Sequence, residues 1–214
     1  MQVGKAAKVK SLLKRIVTDY SLTMILTPSQ SVIFKDIDPS DKEKIDKLLK
    51  QYGVTKAEDV DTLVVKSIAC PAFPLCGLAI AEAERRMPEW QSNVRQLLDK
   101  VGFEEDEAMI LRMTGCPNGC ARPYMAELAL VGDGPDMYQI WTGGSPNLTN
   151  LAEVYKNKVK WSNMDEELEP LFFYWKVNRK DGEAFGDLCR RVGNQELERF
   201  AIAYNAMKTF TYDI

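Results

Sequence analysis

Two cysteine pairs in loop-forming sequence constrain this chain more than any other feature. Residues 70–76 read CPAFPLC and residues 116–120 read CPNGC, so the spacing is C-x5-C, then 39 residues, then C-x3-C. Proline opposes helix formation in both stretches, and Gly115 and Gly119 allow the backbone to approach a ligand closely. The chain has no histidine. Four thiols on two loops at strand ends can therefore converge on one soft metal centre, which thiolates prefer.

Three other uses of these cysteines stay open at this point. A structural zinc site usually has C-x2-4-C knuckles, and C-x5-C falls outside that range. Two disulfides are possible by number, but they are rare in the reducing compartment expected for a chain without an export signal. Cysteine also serves as a small buried apolar residue. That use suits Cys189, which lies on an apolar helical stripe, whereas Cys116 and Cys120 lie among Pro, Asn and Gly. The spacing favours an iron–sulfur cluster.

Composition excludes several classes of protein. The 214 residues are 45% hydrophobic and 28% charged, which is typical of a globular protein. The net charge of −3 argues against a nucleic-acid binder, which would usually carry a basic excess. No run of about 18 apolar residues is present, so we expect no membrane span. The basic first 17 residues lack a long apolar core and a cleavage site, so we expect the protein not to be secreted.

The first part of the chain, residues 1–58, is predicted to form a partial ferredoxin-like unit. Apolar residues recur at helical spacing from Val9 to Tyr20. Two strands are predicted in 22–27 and 31–37, and a second helix, capped by Asp and Ser, in 38–54. This α-β-β-α order is most of a ferredoxin-like unit, but the opening strand is missing.

Residues 59–214 are predicted to form a second domain of mixed α/β structure with C-terminal helices, so the fold class is α+β. The pattern predicts strands that lead into both cysteine pairs, helices in 77–87 and 89–102, a hairpin around GDGPD, and helices only in the remainder. The two strands that precede the cysteines lie in VDTLVVKSIAC, residues 60–70, and AMILRMTG, residues 108–115. The acidic run at 104–107 is predicted to be a solvated loop without chemistry.

The cysteine motifs resemble those of a known enzyme family. TGCPNGCARPYMAEL, together with ACPAFPLCGLAIAEAERRMPE, resembles the signature pair of the siroheme-dependent nitrite and sulfite reductases. NGCARPY and AELALVGDGP are similar to the sulfite branch. CPAFPLC and YQIWTGG are similar to the ferredoxin-dependent type of plants and cyanobacteria rather than to the NADPH-dependent hemoprotein.

The resemblance implies a set of roles. The four cysteines would ligate a 4Fe-4S cluster, and Cys120 would also be the axial ligand that bridges to the siroheme iron. Arg112 and Arg122 flank the second pair and would serve the cofactor, or else be structural. The implied activity is the six-electron reduction of sulfite to sulfide in sulfur assimilation, with ferredoxin as electron donor, in the cytoplasm or the plastid stroma. The ligands in question are Cys70, Cys76, Cys116 and Cys120.

The chain matches only the C-terminal half of that family. The N-terminal half supplies most basic residues around the siroheme carboxylates and the substrate, so the catalytic residues are expected there and none is assigned here. We expect the chain to be a piece of a longer enzyme, a subunit completed by a partner chain with the other half, or a small stand-alone siroheme protein. The alternatives in function are a non-catalytic cluster-binding electron-transfer or scaffold module, and a nitrite reductase.

Overall fold

Two units make up the part of the chain that this computed structural model describes, residues 6–104 and 106–211, and their boundary lies between Val60 and Asp61. The first five residues, where the basic N-terminal stretch begins, and Glu105 of the acidic run lie outside the described residues. None of the described helices is both long and apolar enough to cross a membrane.

The first unit has the predicted α-β-β-α order. Its elements are α1 (Ala6–Tyr20), β1 (Thr23–Leu26), β2 (Val32–Lys35) and α2 (Lys42–Gln51). The two strands pair antiparallel with Thr23 opposite Lys35. Leu12 and Ile16 of α1 are buried with Ile45 and Leu48 of α2, because these residues recur on one face of each helix.

The second unit is built on a five-stranded mixed sheet. Its strands are β3 (Ile68–Ala69), β4 (Leu111–Thr114), β5 (Leu128–Gly134), β6 (Met137–Thr142) and β7 (Glu153–Lys160), in the order β3-β4-β5-β6-β7. The first three are parallel to one another, and β6 and β7 add antiparallel. The buried strand before the second cysteine pair and the hairpin around GDGPD are thus confirmed.

Helices cover the apolar face of this sheet. They are α3 (Thr62–Lys66), α4 (Met87–Lys100), α5 (Met164–Asn178), α6 (Phe185–Val192) and α7 (Asn194–Thr211). Trp90 of α4, Phe172 and Trp175 of α5 and Phe185 of α6 are almost completely buried in one core with Leu111 of β4. The mixed sheet and the C-terminal helices confirm the α+β fold class.

One predicted helix is wrong. Residues 77–86 have the Ala, Glu and Arg content of a helix, yet they run as a loop, and α4 begins only at Met87. The backbone N–H groups of this loop are used elsewhere: those of Ile80 and Ala81 donate to the carbonyl oxygen of Gly115, and that of Glu84 donates to the carbonyl oxygen of Cys70. Helix propensities are weak, and these tertiary hydrogen bonds outweigh them.

Two further elements, α3 and β7, differ from the secondary structure that the sequence predicts. Five of the eleven residues of the strand predicted in 60–70 form helix α3, because the Asp61 carboxylate accepts a hydrogen bond from the N–H of Leu63 and caps a helix there. Strand β7 was not predicted, since the C-terminal remainder was expected to be entirely helical. Register shifts against β6 and a left-handed Lys158 (φ 53°) leave only Tyr155 and Val159 buried, so the strand lacks a period of two.

Glu169 ties three helices of the second unit together. Its carboxylate on α5 accepts hydrogen bonds from Lys100 Nζ of α4 (2.8 Å) and Tyr204 Oη of α7 (2.8 Å), and it lies 2.7 Å from Lys208 Nζ. Burial alone would raise the pKa of Glu169, but these three donors lower it to about 2.

We predict that Glu169→Gln lowers the free energy of unfolding by about 2 kcal/mol at neutral pH, because the lysines lose their anionic partner. A depressed pKa stabilises the fold fully above about pH 4.5 and loses this effect as the pH falls toward about 2. Urea unfolding from pH 7 to 2 should therefore show the difference from the wild type vanish at low pH. Glu166→Gln, an exposed change on the same helix, is the control. A difference that persists at pH 2 would contradict the assignment.

Candidate cofactor-binding site

Two parallel strands deliver the cysteine pairs to the same edge of the sheet. Ala69, the last residue of β3, lies opposite Met113 of β4. Cys70 directly follows β3, and Cys116 lies two residues beyond the end of β4. The N–H of Cys70 donates to the carbonyl oxygen of Met113 at 3.1 Å. Because the carboxyl ends of parallel neighbours meet, the two cysteine loops begin side by side.

Gly115 joins the two loops through its backbone. Its N–H donates to Cys70 Sγ at 3.2 Å, and its carbonyl oxygen accepts from the N–H groups of Ile80 (2.8 Å) and Ala81 (3.0 Å). A Cβ at position 115 would lie 2.6 Å from the carbonyl oxygen of Ala81 and 2.7 Å from Cβ of Ala72. Only glycine fits this close approach of two backbones.

The second cysteine loop is shaped by two residues in left-handed conformations. Gly119 has φ 69° and Arg122 has φ 54°. The N–H of Arg122 donates to the carbonyl oxygen of Gly119 at 2.7 Å, and the hydroxyl of Thr114 donates to the carbonyl oxygen of Cys116 at 3.1 Å. The loop thus turns tightly around Cys120 and is anchored to the end of β4.

The structure brings Cys70, Cys116 and Cys120 within electrostatic reach of one another. Burial raises the pKa of the Cys70 thiol, the N–H groups of Gly115 and Ala72 oppose that rise, and negative charge on Cys120 and Cys116 adds to it. Cys70 and Cys116 are each 8% exposed, whereas Cys120 is open to solvent. Negative charges on these three sulfurs therefore oppose one another.

Cys76 lies in the first loop and is partly buried, and its N–H donates to the carbonyl oxygen of Ala72 at 2.8 Å. All five cysteines are free thiols. Among the described residues, no three Cys, Asp or Glu side chains are arranged to hold a metal ion.

Cys189 lies apart from this site. It is fully buried in α6 within the main core, and burial raises the pKa of its thiol strongly. It also forms a hydrogen bond with the hydroxyl of Thr142. Cys189 is therefore a packing residue of this helix, away from both cysteine loops.

Arg112 places a buried guanidinium beside the second loop. It is 4% exposed, and its Nη1 donates to the carbonyl oxygen of Ala121, the residue after Cys120, at 3.1 Å. Its Nε has no hydrogen-bond partner among the described residues. Burial and the nearby Arg122 both lower the pKa of Arg112. An unpaired buried ion costs several kcal/mol, so this charge favours an anionic neighbour.

Comparisons with known proteins agree with these motifs. Over 197 residues the chain is 47% identical to the ferredoxin sulfite reductase of Synechococcus elongatus, covering 92% of this chain and 31% of that protein. Over 186 residues it is 39% identical to the hemoprotein beta-component of the NADPH sulfite reductase of Staphylococcus haemolyticus, covering 87% of this chain and 32% of that protein. The chain belongs to the nitrite/sulfite reductase family. It spans about a third of the length of these curated relatives.

The fold of this family member is also found in a solved structure. The NirA protein of Mycobacterium tuberculosis superimposes with a TM-score of 0.69, at 19% identity, over 91% of this chain and 36% of that one. No protein-family model matches the chain. The resemblance identified from the cysteine motifs is therefore confirmed by the relatives, and the α+β fold by the structural neighbour.

Sequence reasoning missed what Gly115 and its small neighbours do in this family member. Gly115 was expected to approach a ligand, but its carbonyl group faces the first loop. Ala72, Ala79 and Ala81 surround the position of its missing Cβ, and a Cβ on Gly132 would lie 2.4 Å from the Gly115 carbonyl oxygen. The run of small residues that suggested a helix is the signal of this close packing.

We predict that Gly115→Ala destabilises the second unit by about 2–3 kcal/mol, because a methyl group there overpacks two backbones. The matched control is Gly77→Ala in the first loop, where an added Cβ meets nothing within 4 Å and φ is not positive. Chemical unfolding of both variants measures the effect. Equal stability of the two variants would contradict the role of Gly115 as the junction of the loops.

Proposed function

We propose that this chain is the cluster- and siroheme-ligating portion of an assimilatory sulfite reductase that takes its electrons from ferredoxin. The observation that carries the proposal is the meeting of the two cysteine loops through Gly115 at one edge of the sheet. The names of the relatives, one a ferredoxin sulfite reductase, supply the substrate and the donor.

In this proposal Cys70, Cys76, Cys116 and Cys120 are the ligands of a 4Fe-4S cluster. The proposal requires the four sulfurs, which lie on two loops at neighbouring strand ends, to surround one cluster. N–H groups directed at ligand sulfur, such as that of Gly115 toward Cys70 Sγ, are typical of iron–sulfur sites and influence their potential.

Cys120 is proposed to bridge to siroheme as well. It is the most accessible of the four cysteines, so its sulfur is open to a second cofactor. Siroheme, when bound, supplies an iron at which the S–O bonds of sulfite are broken, and a thiolate ligand increases electron density there. Phe73, Leu75 and Leu78 of the first loop expose apolar surface, which suits a flat macrocycle.

The charges of the site support an anionic cofactor. Arg112 is buried with an unpaired Nε, and Arg122 follows Cys120 by two residues. Both arginines are proposed to face the cofactor. Reduction of one sulfite consumes six electrons and six protons and yields one sulfide and three waters. The basic residues that deliver those protons are expected in the part of the relatives that this chain does not span, carried on the same polypeptide or on a partner chain.

An iron–sulfur cluster held by thiolates needs a reducing environment. We therefore expect the protein in the cytoplasm or in a plastid stroma.

Visible spectroscopy of the anaerobically purified protein tests the proposal. We predict the intense Soret and red bands of siroheme when both cofactors are loaded, and only a broad brown shoulder when the cluster alone is present. Sulfide production driven by reduced methyl viologen then separates a reductase from a scaffold, and a preference for nitrite would indicate the other branch of the family. Colourless protein with stoichiometric zinc would refute the proposal.

Replacement of single cysteines tests the ligand set. We predict that Cys70→Ser, Cys116→Ser and Cys120→Ser each lower the iron content after anaerobic reconstitution several-fold, because serine is a poor ligand for these clusters. Cys189→Ser is the matched control, since that thiol lies in the core beside Thr142. Loss of iron in the control, or full iron in the other three, would show that the ligands were wrongly chosen.

A further inference from the structure

We propose that Arg112 is a positioning residue that fixes a positive charge beside the cluster site and raises the reduction potential of the cluster. This inference rests on the proposed function, because it concerns the cluster held by the four cysteines. It assigns to Arg112 a role through charge and loop geometry rather than as a ligand of a metal or a substrate.

The position of Arg112 follows from the sheet. It lies on β4, opposite Ile68 of β3 and Ala129 of β5, in the middle of the three parallel strands. Side chains alternate along a strand, so Arg112 and Thr114 leave the face opposite to Leu111 and Met113, which pack in the main core. Arg112 and Thr114 both donate to carbonyl oxygens of the second cysteine loop. Strand β4 thus holds this loop at two points.

Among the described residues, no carboxylate contributes to the shift of the pKa of Arg112. Burial and the charge of Arg122 lower this pKa, and Tyr124 raises it. Within the described part of the chain, Nε of Arg112 has no acceptor, although the residue is only 4% exposed. A guanidinium buried in this way is unfavourable without an anion beside it, so the geometry points to an anionic neighbour.

A cluster with four thiolate ligands provides that anion. Cys70 and Cys116 are each 8% exposed, so negative charge on their sulfurs lies in a medium that screens it poorly. Each added electron increases the negative charge. A fixed cation nearby stabilises the reduced state more than the oxidised state, and the reduction potential therefore rises.

The test compares charge removal with charge retention. Arg112→Gln removes the positive charge, Arg112→Lys keeps it but loses the planar fork, and Arg199→Gln removes an exposed positive charge on α7 as a control. Each full-length protein is reconstituted anaerobically, its iron content is measured, and the midpoint potential of the cluster is determined by titration followed by electron paramagnetic resonance.

We expect Arg112→Gln to make the midpoint potential of the cluster more negative by at least about 59 mV. For one electron, this shift corresponds to a tenfold lower ratio of reduced to oxidised cluster at a given potential. Arg112→Lys should stay closer to the wild type, and Arg199→Gln should not differ from it. Equal potentials in the wild type and Arg112→Gln, at equal iron content, would overturn the inference and leave the proposed function intact.

A loss of the cluster is also informative. If Arg112→Gln holds no iron but Arg112→Lys holds it near the wild-type potential, the charge is needed and the inference is supported. If neither variant holds iron while Gly77→Ala does, Arg112 acts only as a structural residue and the inference is overturned. A wild-type protein that binds no cluster would instead refute the proposed function.

Discussion

The backbone of Gly115 carries hydrogen bonds in both directions between the two cysteine loops. Its N–H reaches Cys70 Sγ, and its carbonyl oxygen binds the loop that follows Cys76. These contacts require the two chains to approach so closely that no side chain fits between them. The parallel pairing of β3 with β4 also holds the two cysteine loops together, because it brings the ends of the two strands side by side. The geometry of the candidate site depends on this single junction.

Charge is the second constraint on the site. Two buried thiols and an accessible thiol lie on the cysteine loops, and the buried guanidinium of Arg112 donates to the carbonyl oxygen of Ala121 in the second loop. Charge on each of these groups is costly alone, because thiolates repel one another and a buried cation loses its hydration. This cost links the packing of the strands to the redox chemistry that we propose for the family member.

The elements predicted from the sequence agree best with the structure where helical periodicity or turn residues alone determine the local conformation. The helical period of Leu168, Leu171 and Trp175 placed α5 against the core, and the hairpin at GDGPD followed from its turn residues. They disagree at 77–86, where tertiary hydrogen bonds outweigh helix propensity, and at β7, where register shifts hide the alternation of a strand. The ligand roles of the cysteines and the roles of Arg112 and Arg122 stay predictions.

The sequence by itself determined which residues carry the chemistry. Two cysteine pairs at fixed spacing in Pro- and Gly-containing stretches identify the family, because the residue types and their order are properties of the chain alone. Only the tertiary structure decided that Cys70 lies against Gly115, that the alanines around Gly115 leave room for no side chain there, and that Arg112 is buried with no acceptor for its Nε among the described residues. The contact of Gly115 with Cys70 joins residues 45 apart in the chain. It lies beyond the reach of a local pattern, since strand pairing and close packing determine it.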